Sequence, residues 1–387
     1  MIIDLEIVDK LEAAELIGED RADEETLIHT IHDGRQIPRH LLGSQSEEIL
    51  GRDDIREAYV RERDWGANLV AHHLARELGL GGYLRVNVAR VVMDYGRFPG
   101  SSGTDAAYLK RYAVFPPFSS VLEEEAKHDI LAYYDRISTA LTSRVANKKI
   151  MLAVHTYDPL NASGTERPEI SLVSRLMEYQ INSTLPPEVF DPLFPPILCE
   201  ATSHRQLVYR IVQNLELNGF HAALNYPYVM PVGSIEIRAQ VWYFFRHLRH
   251  AFEEAFPGTV ENPAYTVVWD MLGDVVRRSH KTVLLHGYLH EYREPPMRDR
   301  QLFAAARQAY GRIKAFLDEN REELVDVYRF SDDYPSCLGM EVRKDLLCDI
   351  DPAGHRVDLK PDADETAYKI ALQVARALTE FRQSQDR

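Results

Sequence analysis

Short apolar runs alternate with longer stretches of helical period along the first half of the chain. Thr26–His32 (TLIHTIH) predicts a strand, ended by Asp33 and Gly34. Asp53–Leu78 predicts one long helix, and Tyr83–Met93 (YLRVNVARVVM), rich in valine, predicts a second strand. Val121–Val145 has the period of an amphipathic helix. Lys149–His155 (KIMLAVH) predicts a buried strand, ended by Asp158 and Pro159. This alternation predicts an α/β fold with a mixed, mostly parallel sheet flanked by helices.

The second half is less regular. The stretch 159–198 holds Pro168, Pro186, Pro187, Pro192, Pro195 and Pro196, and predicts irregular chain. His204–Leu217 predicts a helix and Phe220–Asn225 a strand. Ser234–Phe245 is an apolar run that fits strand or helix. Gln301–Val325 predicts a helix, Gly339–Leu347 a strand, and Asp364–Arg382 a closing helix with Asp364 as its N-cap. No linker composition interrupts residues 1–387, so the expectation is one domain with a large insertion.

Composition narrows the function classes. A chain of 387 residues, 45% hydrophobic, can bury a sizeable core. Its net charge of −15 disfavours nucleic-acid and anionic-membrane partners, although a local arginine cluster still admits an anionic small molecule. The three cysteines, Cys199, Cys337 and Cys348, are too few and odd in number for a disulfide framework. With an acidic N-terminus unlike a signal peptide, and no apolar run near the ~20 residues of a membrane helix, the expectation is a cytoplasmic protein.

Candidate chemistry gathers at the predicted strand ends, where open α/β sheets bind ligands. His32 and His155 each close an apolar strand. Two neutral imidazoles there can hold a divalent metal, although for either alone a polar strand cap is the commoner role. Asp64 shares 3-4-3-4 spacing with Ala67, Ala71, Leu74 and Leu78 on the predicted helix. A carboxylate on that stripe needs a metal or an arginine, unless it faces solvent at the edge. Arg90, inside a predicted strand, pairs with an internal acid such as Asp94 or binds a substrate carboxylate; Arg97 follows it. Glu236 (GSIEIRAQVWYF) and Glu341 (GMEVRKDLL) each read as a glutamate on an apolar strand. Beside a metal, such a group can take a proton from water and pass it to a leaving nitrogen. His286 and His290 have i, i+4 spacing, but their flanks favour a strand or short turn. His29 falls on the face opposite His32 and reads as structural, and His72 and His73 read as helix surface.

Four blocks, taken in order, carry a resemblance. They are IHDGRQIP from Ile31, RDWGANLVAHHLA from Arg63, ARVVMDYGR from Ala89 and IMLAVHTYDP from Ile150. Together they resemble the N-formylglutamate amidohydrolase family. The resemblance implies a zinc-exopeptidase (phosphorylase/hydrolase-like) architecture, related to the zinc carboxypeptidases and aspartoacylases. It implies Zn2+, or another divalent metal such as Mn2+, on His32, Asp64 and His155. The implied reaction is hydrolysis of a small N-formyl or N-acyl amino acid. Arg90 and Arg97 would bind its carboxylate or steady the oxyanion. Asn225-Tyr226-Pro227-Tyr228 resembles the family's substrate loop. Glu341, with Arg343 nearby and a final helix after it, resembles the related last strand, which makes Glu341 the favoured base and Glu236 the second choice. Residues from about 240 to 330 are then a helical insertion, either a lid or a homo-oligomer contact. Ala153 and Gly96 depart from the family's usual acid and asparagine, which bears on the substrate more than on the reaction. A carboxypeptidase-like amide hydrolase and a binding protein without turnover stand as the other readings.

Overall fold

The computed structural model describes residues 4–385 except 13, 20–24, 43–45, 98–117, 119–123, 146–147, 177–184, 186–189, 232–233 and 275–278. Among the described residues, seven strands make the main sheet: β1 Ala14–Gly18, β2 Thr26–Thr30, β3 Gly82–Val86, β4 Ile150–Tyr157, β5 Ile170–Val173, β6 Ala222–Leu224 and β7 Ser336–Arg343. Their order is β1-β3-β2-β4-β7-β5-β6. The central four, β3-β2-β4-β7, run parallel. Strand β1 is antiparallel to β3 and β5 to β7, while β6 is parallel to β5. From β2 the chain moves to β3 on one side, then reaches β4 on the other. That reversal opens a crevice at the carboxyl ends of β2 and β4.

Among the described residues, the helices of ten residues or more that surround the sheet or pack beside it are α1 Asp53–Glu62, α2 Ala67–Glu77, α3 Glu124–Val145, α4 Arg205–Leu217, α5 Ile235–Ala255, α6 Pro263–Gly273, α7 His280–His290, α8 Arg300–Glu319 and α9 Ala363–Gln385. One core joins the sheet residues Ile28, Leu152 and Met340 to Val70 and Leu74 of α2 and to Ile370 and Val374 of α9. A second core joins the helices of the 235–330 stretch, through Phe244, Phe252, Val268, Trp269, Phe303 and Ile313, to Phe190, Phe194 and Leu198 of the preceding chain. Helix α5 touches both, through Ile235 and Ala239 on the sheet side and Phe244 and Phe252 on the other. Among the described residues, no helix is long and apolar enough to cross a membrane. The three cysteines are buried, and none forms a disulfide.

Several local expectations are corrected. The predicted helix Asp53–Leu78 is two helices, broken at Arg63–Gly66. Gly66 takes φ +88°, and a side chain there would press on Leu347, so the break is written into the backbone. The strand predicted over Tyr83–Met93 ends at Val86 and gives way to turns. Ser234–Phe245 is helical: the Ser234 side chain caps α5 by accepting from the Ile237 amide at 3.3 Å. The proline-rich stretch contains β5, whose four residues are all buried. Asp364 lies inside the first turn of α9, not before it. It pairs with His73, which is buried rather than on the helix surface. Val121, the expected start of α3, lies outside the described residues.

Candidate metal centre and active site

His32 lies two residues beyond β2, and His155 lies within β4, two residues before its end. Adjacent parallel strands therefore bring the two rings within 4.9 Å, centroid to centroid. Asp64 stands in the break between α1 and α2, not on a helix face as its spacing suggested. Its backbone N–H donates to the His32 carbonyl at 3.1 Å, which ties two of the three residues through the main chain. Asp64 Oδ2 lies 2.9 Å from His155 Nδ1 and 3.5 Å from His32 Nδ1. One ligand atom from each residue falls within 4.8 Å of the others. Two imidazole nitrogens and one carboxylate oxygen are a zinc-type donor set that leaves a coordination position open.

The residues beside these three are pinned to each other. Arg63 precedes Asp64, and Asp33 follows His32. Arg63 Nε donates to Asp33 at 3.0 Å, its Nη1 donates to Asp4 at 2.6 Å, and its guanidinium lies 4.2 Å from the Trp65 ring. His32 turns its Nε2 to the fully buried Asp94, 2.9 Å away, which leaves Nδ1 facing Asp64. Arg90 bridges the two acids, donating to Asp64 Oδ1 at 2.9 Å and to Asp94 Oδ2 at 3.1 Å. It sits in a turn after β3, not in a strand. Gly96 packs so closely that an added Cβ would lie 3.2 Å from His32 Nε2. Such supports orient metal ligands and tune their basicity.

Electrostatics sharpen the picture. Burial opposes ionisation of Asp64, but Arg90 and the two histidines outweigh it and hold its pKa well below the usual carboxylate range. Burial likewise opposes a charged His155, yet Asp64 and Glu341 push its pKa up to about 9.

Glu341 lies on β7 directly opposite His155. Among the described residues its carboxylate has no hydrogen-bond partner, and burial raises its pKa. Glu236 is on helix α5, not on a strand as its Ile-Glu-Ile setting suggested. Its Oε1 lies 3.0 Å from His29 Nε2, on the first turn of a helix. Burial would raise its pKa, but the His29 contact leaves it below the ordinary value. Both glutamates line one cleft of about 530 Å³, together with the three histidine–aspartate residues and Arg90. That volume suits a small molecule.

Other sequence candidates are placed differently. Tyr228 lines the cleft. Asn225 is not among its lining residues; its side-chain oxygen accepts from the Ser174 amide at 2.8 Å. Arg343 is engaged by Asp345 through two bonds of 2.9 Å and by Glu166 at 2.7 Å, away from the cleft lining. The side chain of Arg97 lies outside the described residues. His286 and His290 are on helix α7 after all, where His290 pairs with Asp191 at 3.0 Å. Sequence reasoning missed Arg167, a cleft residue in the proline-rich stretch. It also gave Asp94 only as a partner for Arg90, not for His32.

Fold and site define the class: a mixed α/β protein whose cleft joins a converged histidine–carboxylate donor set to a buried glutamate. Residues 25–249, more than half of the chain, match the N-formylglutamate amidohydrolase family, and the chain belongs to that family. It is thereby an amidohydrolase. The crystal structure of N-formylglutamate amidohydrolase from Ralstonia eutropha JMP134 is similar in fold, at TM-score 0.50 and 13% identity over 97% of this chain and 100% of that one. The gene product Atu2144 from Agrobacterium tumefaciens aligns at 16% identity over 96% of each chain, with TM-score 0.40. No curated protein matches the sequence.

Proposed function

We propose that this chain hydrolyses the amide bond of a small N-formyl or N-acyl amino acid, releasing formate or another acid, with a divalent cation held by His32, Asp64 and His155. The cation would be Zn2+ or a similar ion such as Mn2+, on a zinc-exopeptidase-type scaffold. The observation that carries the reading is the convergence of His32 Nδ1, His155 Nδ1 and Asp64 Oδ2 at the mouths of two adjacent strands, with Glu341 beside His155 on the next strand of the sheet. When bound, such an ion polarises the scissile carbonyl and brings the pKa of water towards ~7.

The protein's own residues then divide the work. Glu341 accepts the proton of the attacking water at its carboxylate and delivers it to the amide nitrogen as the C–N bond breaks. A carboxylate with a raised pKa and no internal partner is the better proton acceptor, which favours Glu341 over Glu236, held by His29 with its pKa lowered. Arg90 acts as a clamp on Asp64 and Asp94 rather than on the substrate, because its Nε and Nη1 are taken up by those acids and the Glu62 carbonyl. Asp94 fixes which His32 nitrogen faces the cluster.

The test is formate release from a panel of N-formyl amino acids, using protein loaded with zinc or manganese. Wild type is expected to turn over at least one member. Glu341→Gln should lose about 10²- to 10⁴-fold in kcat while keeping its metal. No turnover across the panel, with metal bound, would overturn the deformylase reading. Unchanged turnover in the variant would remove Glu341 from the mechanism.

A further inference from the structure

Among the described residues, the arginines and lysines that line the cleft are Arg61, Arg90, Arg167 and Lys344. Three have acidic partners. Arg90 is bound to Asp64 and Asp94, Lys344 lies 3.3 Å from Asp158, and Arg61 lies 3.2 Å from Glu62. Arg167 has no ion pair with any described residue. Its Nη1 reaches only the Asp158 carbonyl at 3.0 Å, and its Nε is buried with no hydrogen-bond partner. A cation without a counter-charge, and a buried donor left unmade, both cost free energy that a bound anion would recover.

The surroundings hold this guanidinium in place. It lies 5.0 Å from the centre of the Tyr228 ring and 5.4 Å from that of Tyr157. Those rings stand edge to face, 6.1 Å apart, so they form a notch around it. The Tyr157 hydroxyl donates to the Pro168 carbonyl at 2.5 Å, which fixes the ring against the next residue of the chain. The Arg167 backbone is fixed too. Its N–H donates to Pro159 O at 2.8 Å, and its carbonyl accepts from Arg343 Nη1 at 3.2 Å. The loop before it closes on the Asn161 side chain, which accepts from the Thr165 amide at 2.8 Å. This is a preorganised arginine on a chain whose net charge is −15, in a cleft otherwise rich in carboxylates.

We infer that Arg167 is the anchor for a carboxylate on the amino-acid half of the substrate, and so sets the enzyme's preference for N-acyl amino acids over neutral amides. The inference rests on the amidohydrolase reading of the same cleft. A guanidinium fork matches a carboxylate bidentately, which no neutral amide reproduces. Tyr157 stands two residues beyond His155 on β4, about 7 Å along the strand. The histidine–aspartate cluster and Arg167 line the same cleft of about 530 Å³, so an amide at the one and a carboxylate at the other fit within one small-molecule site. Arg343, through the Arg167 carbonyl, is a positioning residue for this anchor.

The test compares N-formyl-L-glutamate with its two mono-amides, N-formylglutamine and N-formylisoglutamine, in metal-loaded wild type, Arg167→Met and Arg167→Lys. Arg167→Met should raise KM for the diacid about 10- to 100-fold with kcat largely kept, and should erase the penalty for amidating one of the two carboxylates. Arg167→Lys should fall between. Calorimetric binding of L-glutamate reads the same anchor without turnover, and should be lost in Arg167→Met. A merely structural role would depress all three substrates alike and lower the melting temperature. Wild-type substrate ratios and glutamate binding retained in Arg167→Met, or no glutamate binding by wild type, would overturn the inference. Arg167-dependent glutamate binding in a protein that hydrolyses none of the three would keep the anchor and reject the hydrolase reading.

Discussion

His32, Asp64 and His155 meet at the strand ends; in the helical block His290 meets Asp191, with the His286 ring beside it. The residue types are the same, and both pairs of rings are close, with centroids 4.9 Å and 4.6 Å apart. The difference lies in where the lone pairs go. Asp64 gives Oδ1 to Arg90 and turns Oδ2 to both rings. Asp191 accepts from the Leu193 amide and the Tyr310 hydroxyl on Oδ1, and from His290 on Oδ2. His286 faces Glu291 at 3.6 Å instead. One cluster aims its donors at a shared point beside a cleft, while the other uses Asp191 to fasten the 190s loop to α7 and α8. Ligand-type residues at the right spacing therefore do not make a site; convergence on open space does.

The sharpest way to break this contrast is to remove one histidine from each cluster. His155→Ala is expected to reduce amide hydrolysis to background. His290→Ala is expected to leave kcat and KM unchanged and to cost about 1–3 kcal/mol of stability, because it strips a partner from the nearly buried Asp191. Denaturant unfolding alongside formate-release kinetics checks both. Loss of activity without loss of stability in His290→Ala would move the helical cluster into the function.

A smaller effect separates the two glutamates by pH. Glu236 has a lowered folded pKa, so it contributes stability above its unfolded value of about 4.3, and that contribution fades as pH falls through the lower folded value. The stability gap between wild type and Glu236→Gln should narrow as pH falls below the unfolded value of about 4.3. Glu341 has the opposite sign: burial raises its pKa, so its ionised form costs stability at neutral pH. Glu341→Gln should therefore be no less stable than wild type when metal-free. A pH-independent gap for Glu236→Gln would contradict the assignment of its pair with His29.

The site was partly legible in the sequence because β2 and β4 are local features. Their apolar runs and terminal turns announce themselves, and the histidines come with them. Asp64 was found by a pattern that the fold does not use: the 3-4 spacing is real for Ala67, Ala71 and Leu74 in α2, but Gly66 breaks the helix ahead of them. Glu236 was misplaced because Ile235-Glu236-Ile237 alternates like a strand, while the Ser234 cap that starts a helix is a single residue. Arg167 was invisible for a physical reason. It lies in irregular chain without period, and what marks it out is a missing acid, which only three-dimensional packing reveals. Arg343 showed the converse, an arginine beside the favoured glutamate whose partners come from Glu166 and Asp345.

The central claim is that His32, Asp64 and His155 together hold a divalent cation, and elemental analysis of purified protein tests it most directly. Wild type, incubated with zinc or manganese and desalted, should retain about one ion per chain, whereas Asp64→Ala, folded to the same helix content, should retain almost none. Equal retention in the two proteins, or none in wild type, would contradict it.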